Sequence, residues 1–592
     1  MTAYGLGRPG VFLQENLVQQ NIVVPTSSNA VAAFIGYLPK GPETPTYVTS
    51  WADFNTYFGG IDYNIPTTLA AYMFFANGGR NAYIRRVTKN ANTALTSPSI
   101  AIAGSAGAVK TATITATHAF TVGQTVTLSG WTGNTAVNGT WVVDSISTTL
   151  SFTIKLPSTA ATTTPTGGSV IRSLKAGIQL NSAASTPTFS VIADSSGTWG
   201  NNIAVDIVGT ASRFSFTVYG APLGSTTPSR SNVLEQFTDL SMTTTDANYF
   251  ASIVNQLSNY VTVADLKTGA VALNSDTLTA LSSGTDGSST ITTTELGATT
   301  WADFDTINGP LIFNLPDVSV TSTTWTTTNS ATAVNSLISY AETRGDAFVI
   351  VDPHNDATVS TAATYAGSVL TTGSLSGKQS ALYFPWLTIP DTSKSVRGLT
   401  TSVAPGGAIA GIYQKNDTSR GVFTAPAGYS TRLSNVLGLA TSLTNQNLDD
   451  LNQATNAINA IKVTPGNGIV VMGGRTLSTN KSDRYISVRR GLIYLKRELT
   501  DRSAFAVFEN NDPHLWGRIQ SSLSSFLNSY WQQGGLRGST TDEAFFVKCD
   551  SSTTTETDIA NGRVNIQIGV ALEYPAEFVL ITIGQITGNA SA

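Results

Sequence analysis

Short continuous apolar runs alternate with helical stripes in two places along this chain. In the first, Ala30 to Gly36 reads AVAAFIG, an unbroken apolar run of the length expected for a strand buried on both faces. Leu69, Tyr72, Met73 and Ala76 then recur at i, i+3, i+4 and i+7, one face of a helix that Gly78-Gly79 would end. AYIRRV, Ala82 to Val87, returns as a strand, so the three segments predict a β-α-β unit. The second place is Pro310 to Pro390, where PLIFNLPD, DAFVIVDP and ALYFPWLTIPD are apolar runs bounded by turn residues. Between them Val334, Leu337, Ile338 and Ala341 form one helical stripe, and Val359, Ala363, Ala366 and Leu370 another. Strands alternating with helices predict a parallel sheet covered on both faces.

Elsewhere the period is two. From about Ala101 the chain shifts to Ala, Thr, Ser and Gly, and Val122, Val126 and Leu128, then Trp141 and Val143, then Phe152 and Ile154 alternate between turn signals such as WTGN and VNGT. That predicts a small all-β module, inserted on the surface of the fold and ending in the linker-like STAATTTPTGGS. Residues 173 to 300 are again strand-rich, interrupted by one helical segment, DANYFASIVNQLSNYV.

The C-terminal part begins near Leu448. Val488, Leu492, Leu495 and Leu499 stripe a helix whose outer face would carry Arg489, Arg490, Lys496 and Arg497. AFAVF, Ala504 to Phe508, reads as a strand. Asp512-Pro513 supplies a cap and a first-turn proline for a second helix, which would bury Leu515, Ile519, Leu523, Phe526 and Tyr530 and stop at Gly534-Gly535. Val564, Ile566, Ile568 and Val570 alternate, and Phe578, Val579, Leu580, Ile581, Thr582 and Ile583 form one more strand. At the other end GRPGVFLQENLVQQNIVVPTS, Gly7 to Ser27, is an extended run with no hairpin partner nearby. Both ends therefore read as strands without local partners.

Composition adds scale and surface. At roughly 150 residues per domain, the 592 residues hold about four domains. Charged residues make up only 12% of the chain, against about 25% in ordinary soluble proteins. Its surface is therefore Thr, Ser, Asn, Gln and Gly, and a net charge of −4 leaves little repulsion to oppose polymerisation. An extracellular enzyme or adhesin would have the same composition. The 33 basic and 37 acidic residues leave no electrostatic footprint for nucleic acid. No apolar run approaches the ~20 residues of a membrane span, no basic run suggests membrane binding, and no secretory signal is visible. The single Cys549 excludes an internal disulfide and is expected as a buried strand residue.

Candidate chemistry is sparse. GLGRPG matches G-x-G-x-x-G at Gly5, Gly7 and Gly10 but lacks the preceding strand and following helix that a dinucleotide site needs. GSLSGKQS, Gly373 to Ser380, has three residues between its glycines where a phosphate loop has four, and Gln379 stands where the Mg²⁺-binding hydroxyl belongs, so a helix-to-strand turn is the better reading. Asp317, Asp352 and Asp391 each follow a predicted strand, at the edge where open α/β sheets place ligands, and His354 could add a base. The same PD and DP pairs are ordinary strand-exit turns. His118, His354 and His514 are the only histidines and lie far apart, which argues against imidazole-bound zinc. No cofactor is expected. The basic face of the Val488 helix reads either as solvated surface or as a patch meeting acidic groups of another subunit.

Several stretches together resemble the tail sheath protein of contractile-tailed bacteriophages. They are RPGVFLQE, AVAAFIGYLPKGP, WADFNTYFGG and FFANGGRNAYIRRV, then SSGTWGNNIAV, RGDAFVIVDP, ALYFPWLTIPD and GIYQKNDTSRGVFTAPAG. GGRTL, RRGLIYLKREL, FENNDPHLWGRIQSSLSSFLNSYWQQGGLRG and YPAEFVLITIGQI complete the set, in the same order, with a gap at about residues 100 to 172. The resemblance implies a mixed α/β and β multidomain fold: a core domain built from both chain ends, a central α/β domain with a parallel sheet, and β-rich inserted domains. The expected boundaries are a linking arm at 1–24, the N-terminal part of the core at 25–95, an Ig-like all-β decoration at 96–172, a sandwich-like β-rich domain at 173–300, the central domain at 301–447 and the C-terminal core at 448–592.

The resemblance also implies a structural role without catalysis: stacked hexameric rings forming a helical sleeve around a tail tube, with baseplate and tail terminator proteins as further partners, no nucleic acid and no membrane insertion. The sleeve contracts to drive the tube through the host envelope for genome delivery. The protein would be made in the host cytoplasm and reside in the virion. In such sleeves both chain ends complete the sheets of neighbouring subunits. Here that maps the arm to Val11, Phe12, Leu13, Leu17, Val18, Ile22, Val23 and Val24, the closing strand to Phe578 through Ile583, and candidate inter-subunit charges to Arg489, Arg490, Lys496 and Arg497. The alternatives are the sheath of a related, tailocin-type injection device and a metal-assisted or carbohydrate-active hydrolase using Asp317, Asp352 and Asp391.

Overall fold

The largest sheet has eight strands, in the order Thr46–Val48, Ala82–Arg86, Val31–Gly36, Leu311–Asn314, Ala347–Val351, Ser380–Phe384, Ile458–Thr464 and Gly468–Val471. The inner six pair in parallel, and each edge strand runs antiparallel to its neighbour. This computed structural model describes residues 30–577 except 90–91, 183–186, 211, 223–224, 268–276, 288–290, 372–374 and 394–398. The expected linking arm, Val11 to Val24, and closing strand, Phe578 to Ile583, lie outside the described residues.

Strands Val31–Gly36, Ala347–Val351 and Ser380–Phe384 are buried at every position, as a sheet covered on both faces requires. Alternate residues feed two cores. Ala33, Ile35, Phe313, Val349 and Leu382 face one, under helices Thr327–Arg344 and Val359–Ser368. Ala32, Phe34, Ile312, Ile350 and Tyr383 face the other, under Trp51–Phe58, Pro66–Ala76 and Gly406–Arg420. Helix Thr327–Arg344 buries the Val334, Leu337, Ile338 and Ala341 stripe; its Thr326 hydroxyl accepts from the Asn329 N–H, and left-handed Gly345 ends it. In Val359–Ser368 the fully buried residues are Ala362, Tyr365 and Ala366, and Leu370 falls beyond the helix.

Strand Val31–Gly36 lies between the strand that follows it through Pro66–Ala76 and strand Leu311–Asn314. One sheet thus draws strands from segments 25–95, 301–447 and 448–592. Helices Pro66–Ala76 and Gly406–Arg420 cross at backbone contact: a Cβ on Gly407 would stand 2.2 Å from the Ala70 carbonyl oxygen, and one on Gly411 2.5 Å from that of Phe74. Gly407→Ala is expected to force the helices apart at a cost of about 1–3 kcal/mol, read as a lower unfolding temperature.

Residues between the two helical regions build separate sheets. Six strands, Ser99–Ala103, Lys110–Thr115, Ser151–Leu156, Gly139–Thr148, Thr125–Ser129 and Ser169–Arg172 in spatial order, enclose a core of Ile114, Val126, Trp141, Phe152 and Ile154. Farther along, a three-stranded and a four-stranded sheet share a core of Val191, Val205, Phe216 and Phe250. Arg86, fully buried at the end of its strand, ties this unit to the main sheet: its guanidinium donates to the Leu38, Pro39 and Gly41 carbonyls and to the Ser196 hydroxyl.

Candidate assembly surface

The C-terminal unit rests on two helices. Ile486–Ser503 opens it, and Pro513–Gln532 follows with Asp512 accepting from the Leu515 N–H and Pro513 in the first turn. The second helix buries Leu515, Trp516, Ile519, Leu523, Leu527 and Tyr530, then turns at left-handed Gly534. Gly535 follows, where a Cβ would meet the Tyr530 ring at 2.5 Å. Against these helices lie strands Phe545–Lys548 and Gln567–Val570, antiparallel, with Phe545 opposite Val570 and Lys548 opposite Gln567. Cys549, buried and unoxidised, sits just past the first strand.

This sheet has two strands among the described residues. Each strand therefore has one side paired and one outer side, and such a pair is marginal unless further strands or packing complete it. One outer group is accounted for, the Val547 carbonyl, which accepts from Gln520 Nε2 at 3.1 Å. Phe546, 52% exposed, covers Gly569, where a Cβ would stand 2.2 Å from its ring. Beyond the second strand the Arg537 N–H donates to the Ala571 carbonyl, Tyr574 meets Tyr485 edge-on, and Arg475 grips the Glu577 carboxylate through Nε at 2.9 and 3.1 Å.

The expected strand Ala504–Phe508 is a correction: Ala504–Ala506 is a 3₁₀ turn, and Phe508 takes a positive φ of 67°. No strand of the described chain pairs with it, so β-prone residues follow the end of the preceding helix. Phe505 is 38%, Val507 67% and Phe508 104% exposed. A left-handed conformation costs a non-glycine residue roughly 1–2 kcal/mol, so this loop combines strain with exposed aromatics.

The basic residues expected on an outer face divide. Arg490 is buried, donating to both carboxylate oxygens of buried Asp417, and its guanidinium lies 4.4 Å from the Tyr413 ring centroid. Burial pushes the Asp417 carboxyl up even beside Arg490. Arg489 is also inside and pairs with Asp483 at 3.0 Å. The first half of this helix is enclosed on several sides, so a charge there faces protein; the outer-face expectation fails for both arginines. Lys496 is exposed, and Arg497 pairs along the helix with Asp501 at 2.9 Å.

The three aspartates take separate structural partners. Asp317 accepts from the Tyr37 N–H and from the Thr67 hydroxyl at 2.8 Å; Asp352 accepts from Asn314 Nδ2 and the Gly406 N–H, both at 2.7 Å. Asp391 caps its own turn through Ser393. Burial pushes Asp317 and Asp352 up to about 6 and pushes the His354 imidazole down. Among the described residues no group of three or more His, Cys, Asp or Glu side chains is placed to hold a metal ion. No helix of the described residues is long and apolar enough to cross a membrane.

Residues 478–586, which contain both helices and the two-stranded sheet, match the family described as phage tail sheath C-terminal domain. The C-terminal unit is of the phage tail sheath family. Across 149 residues, 25% of this chain, it is 30% identical to the tail sheath protein of Vibrio phage KVP40, a match spanning 21% of that relative's length. The fold as a whole is shared with the sheath tail protein of Listeria innocua, at a TM-score of 0.53 and 11% identity over 92% of this chain and 96% of that one. The helical sheath of the anti-feeding prophage in its contracted state gives a TM-score of 0.49 at 18% identity, over 98% and 99% of the two chains. The matched segment accordingly contains the two-stranded sheet, the aromatic loop with its positive φ and the buried Arg490.

Proposed function

We propose that this chain is the structural, non-catalytic subunit of a contractile tail sheath, polymerising with copies of itself as stacked hexameric rings around a tail tube between baseplate and terminator. Contraction of that sleeve drives the tube through the host envelope. The carrying observation is the two-stranded sheet with outer edges inside the segment that matches the tail sheath C-terminal domain. Arms from neighbouring copies, Val11–Val24 and Phe578–Ile583, add strands to those edges by β-augmentation, with backbone hydrogen bonds giving affinity and alternating side chains fixing register.

Magnitudes set the conditions for assembly. Each hydrogen bond gained is worth about 0.5–1.5 kcal/mol net, whereas ordering a residue costs about 1–2 kcal/mol. Backbone pairing alone roughly breaks even. Side-chain burial by Phe12, Leu13 and Val23 must tip the balance, aided by a tube and baseplate that hold several arms at once. Lys496 and Arg497, near the exposed end of their helix, are the charges left to meet another subunit. Deleting residues 1–24 is expected to leave soluble, folded subunits that form no sleeves with tube and baseplate present. Electron micrographs showing normal striated sleeves from that deletion would refute the role of the arm, and a parent chain that forms no sleeves with tube and baseplate present would refute the sheath reading.

A further inference from the structure

Helix Pro66–Ala76 carries the chain from strand Val31–Gly36 to strand Ala82–Arg86 over one face of the main sheet, and helix Thr327–Arg344 carries it from strand Leu311–Asn314 to strand Ala347–Val351 over the other. The neighbouring strands Val31–Gly36 and Leu311–Asn314 thus send their crossovers in opposite directions, which opens a crevice beyond their carboxyl ends. A cleft of about 730 Å³ lies there. Tyr37, Asp317, Asn355 and Trp386, which line it, each follow the end of one of four adjacent parallel strands. Tyr63 and Trp325 add two more rings. Internal bonds hold this lining in place: Trp386 Nε1 donates to the Pro353 carbonyl at 2.8 Å, the Tyr63 hydroxyl is bonded to that of Thr392 at 2.8 Å, and the Tyr37 N–H donates to Asp317.

We propose that this cleft binds a neutral saccharide, whose C–H faces pack on the aromatic rings and whose hydroxyls bond to Asp317, Asn355 and Ser402. The inference does not depend on the sheath reading and concerns a surface which that reading leaves unused. The lining decides between ligand classes. Among the described residues no Lys, Arg or His side chain borders the cleft, so a phosphate, nucleotide or carboxylate ligand would find no counter-charge. An apolar ligand would leave polar groups of the rim unpaired. Asn355 Oδ1 accepts from the Thr321 N–H at 3.0 Å, but the Asn355 amide N–H groups and the Ser402 hydroxyl, both on exposed residues, have no partner among the described residues. Asp317, partly accessible, accepts from the Tyr37 N–H on one oxygen and from the Thr67 hydroxyl on the other. That fixes the carboxylate and leaves each oxygen a lone pair for a ligand O–H. Rings joined to a few fixed hydrogen-bonding groups suit a ligand that is apolar on its faces and polar at its edge. Cleavage forms no part of the proposal: Asp317 is the one carboxylate lining the cleft among the described residues, whereas glycoside hydrolysis uses a pair.

The test uses the free full-length subunit with maltotriose, cellotriose and chitotriose as probes, and choline and inorganic phosphate as charged comparisons. At least one trisaccharide is expected to bind, to receive saturation transfer from aromatic protons of the protein at its ring C–H protons, and to be recovered uncut. Tyr63→Ala should weaken that binding about tenfold, the scale of one lost stacked ring. Ser402→Trp, at an exposed position, should fill the cleft and abolish binding while keeping the unfolding temperature of the parent. Binding of none of the three trisaccharides, tighter binding of choline or phosphate, cleavage of the probe, or equal binding by the parent and Ser402→Trp would each overturn the proposal. Sleeve formation does not enter the readout, so failure here and failure of the sheath reading are separate results.

Discussion

Arg490→Met is expected to destabilise the chain by about 3–5 kcal/mol, because it strands a buried carboxylate. Asp417 and Arg490 are both almost wholly inaccessible, and the carboxylate's ionic partner is this guanidinium. Loss of the arginine also removes a cation from the Tyr413 face, and the Tyr413 hydroxyl is bonded to that of Tyr383 in the main sheet at 2.6 Å. The damage should therefore appear on both sides of the contact, as faster amide exchange in helix Gly406–Arg420 and in helix Ile486–Ser503. Arg490→Lys should recover little, since one ammonium cannot reproduce a two-pronged pair and a stacked plane. The double variant Arg490→Met with Asp417→Leu should regain most of the loss, as apolar replacements of buried pairs commonly do. Unchanged exchange in Arg490→Met would show that packing alone joins the two helices. The contact matters for the proposed role because it links the unit that would receive neighbouring strands to the sheet body, so tension on one would pass to the other.

Arg490 also shows where sequence reading stops. Its helix has a clean apolar stripe at Val488, Leu495 and Leu499, and on that pattern alone a run of arginines belongs outside. Nothing in the spacing announces that Asp417, 73 positions earlier, will come to rest against it. Pairing across elements is invisible to periodicity, which senses only neighbours along the chain. The main sheet was legible for the opposite reason: unbroken runs such as AFVIV fit only a strand covered on both faces, and their turns are set by adjacent glycine, proline and aspartate. The Pro513 helix was equally plain, since cap, first-turn proline and stripe all agree. AFAVF misled because its composition encodes a strand for which the described chain supplies no partner. Of the four basic residues on that helix, the structure buries Arg489 and Arg490 and leaves Lys496 exposed, and the turn at Phe505 to Phe508 was missed although its three large apolar residues within four positions were visible.

Acidity should act on the body of the fold through Asp317 and Asp352. Burial lifts both carboxyls to about 6, whereas an unfolded aspartate titrates near ~3.9. Between those values the folded chain keeps protons that the unfolded chain releases. Stability from these groups is therefore greatest below about pH 4 and declines as pH rises to about 6, above which each ionised carboxylate costs on the order of 3 kcal/mol. Other carboxylates pull in the opposite direction, so the measurement is a comparison: unfolding temperature against pH for the parent, Asp317→Asn and Asp352→Asn. Each asparagine loses one acceptor oxygen facing the Thr67 hydroxyl or the Gly406 N–H. That cost does not depend on pH. The loss of ionisation does, so each variant should gain on the parent as pH climbs from 4 to 7, and the double variant should gain about twice as much. Parallel curves would mean that these carboxyls titrate normally and that the hydrogen bonds from Tyr37, Thr67, Asn314 and Gly406 fully offset their burial. A diverging pair would show charged staples kept at the strand ends despite their cost, where each fixes the backbone of a different loop and so holds the carboxyl edge of the sheet rigid.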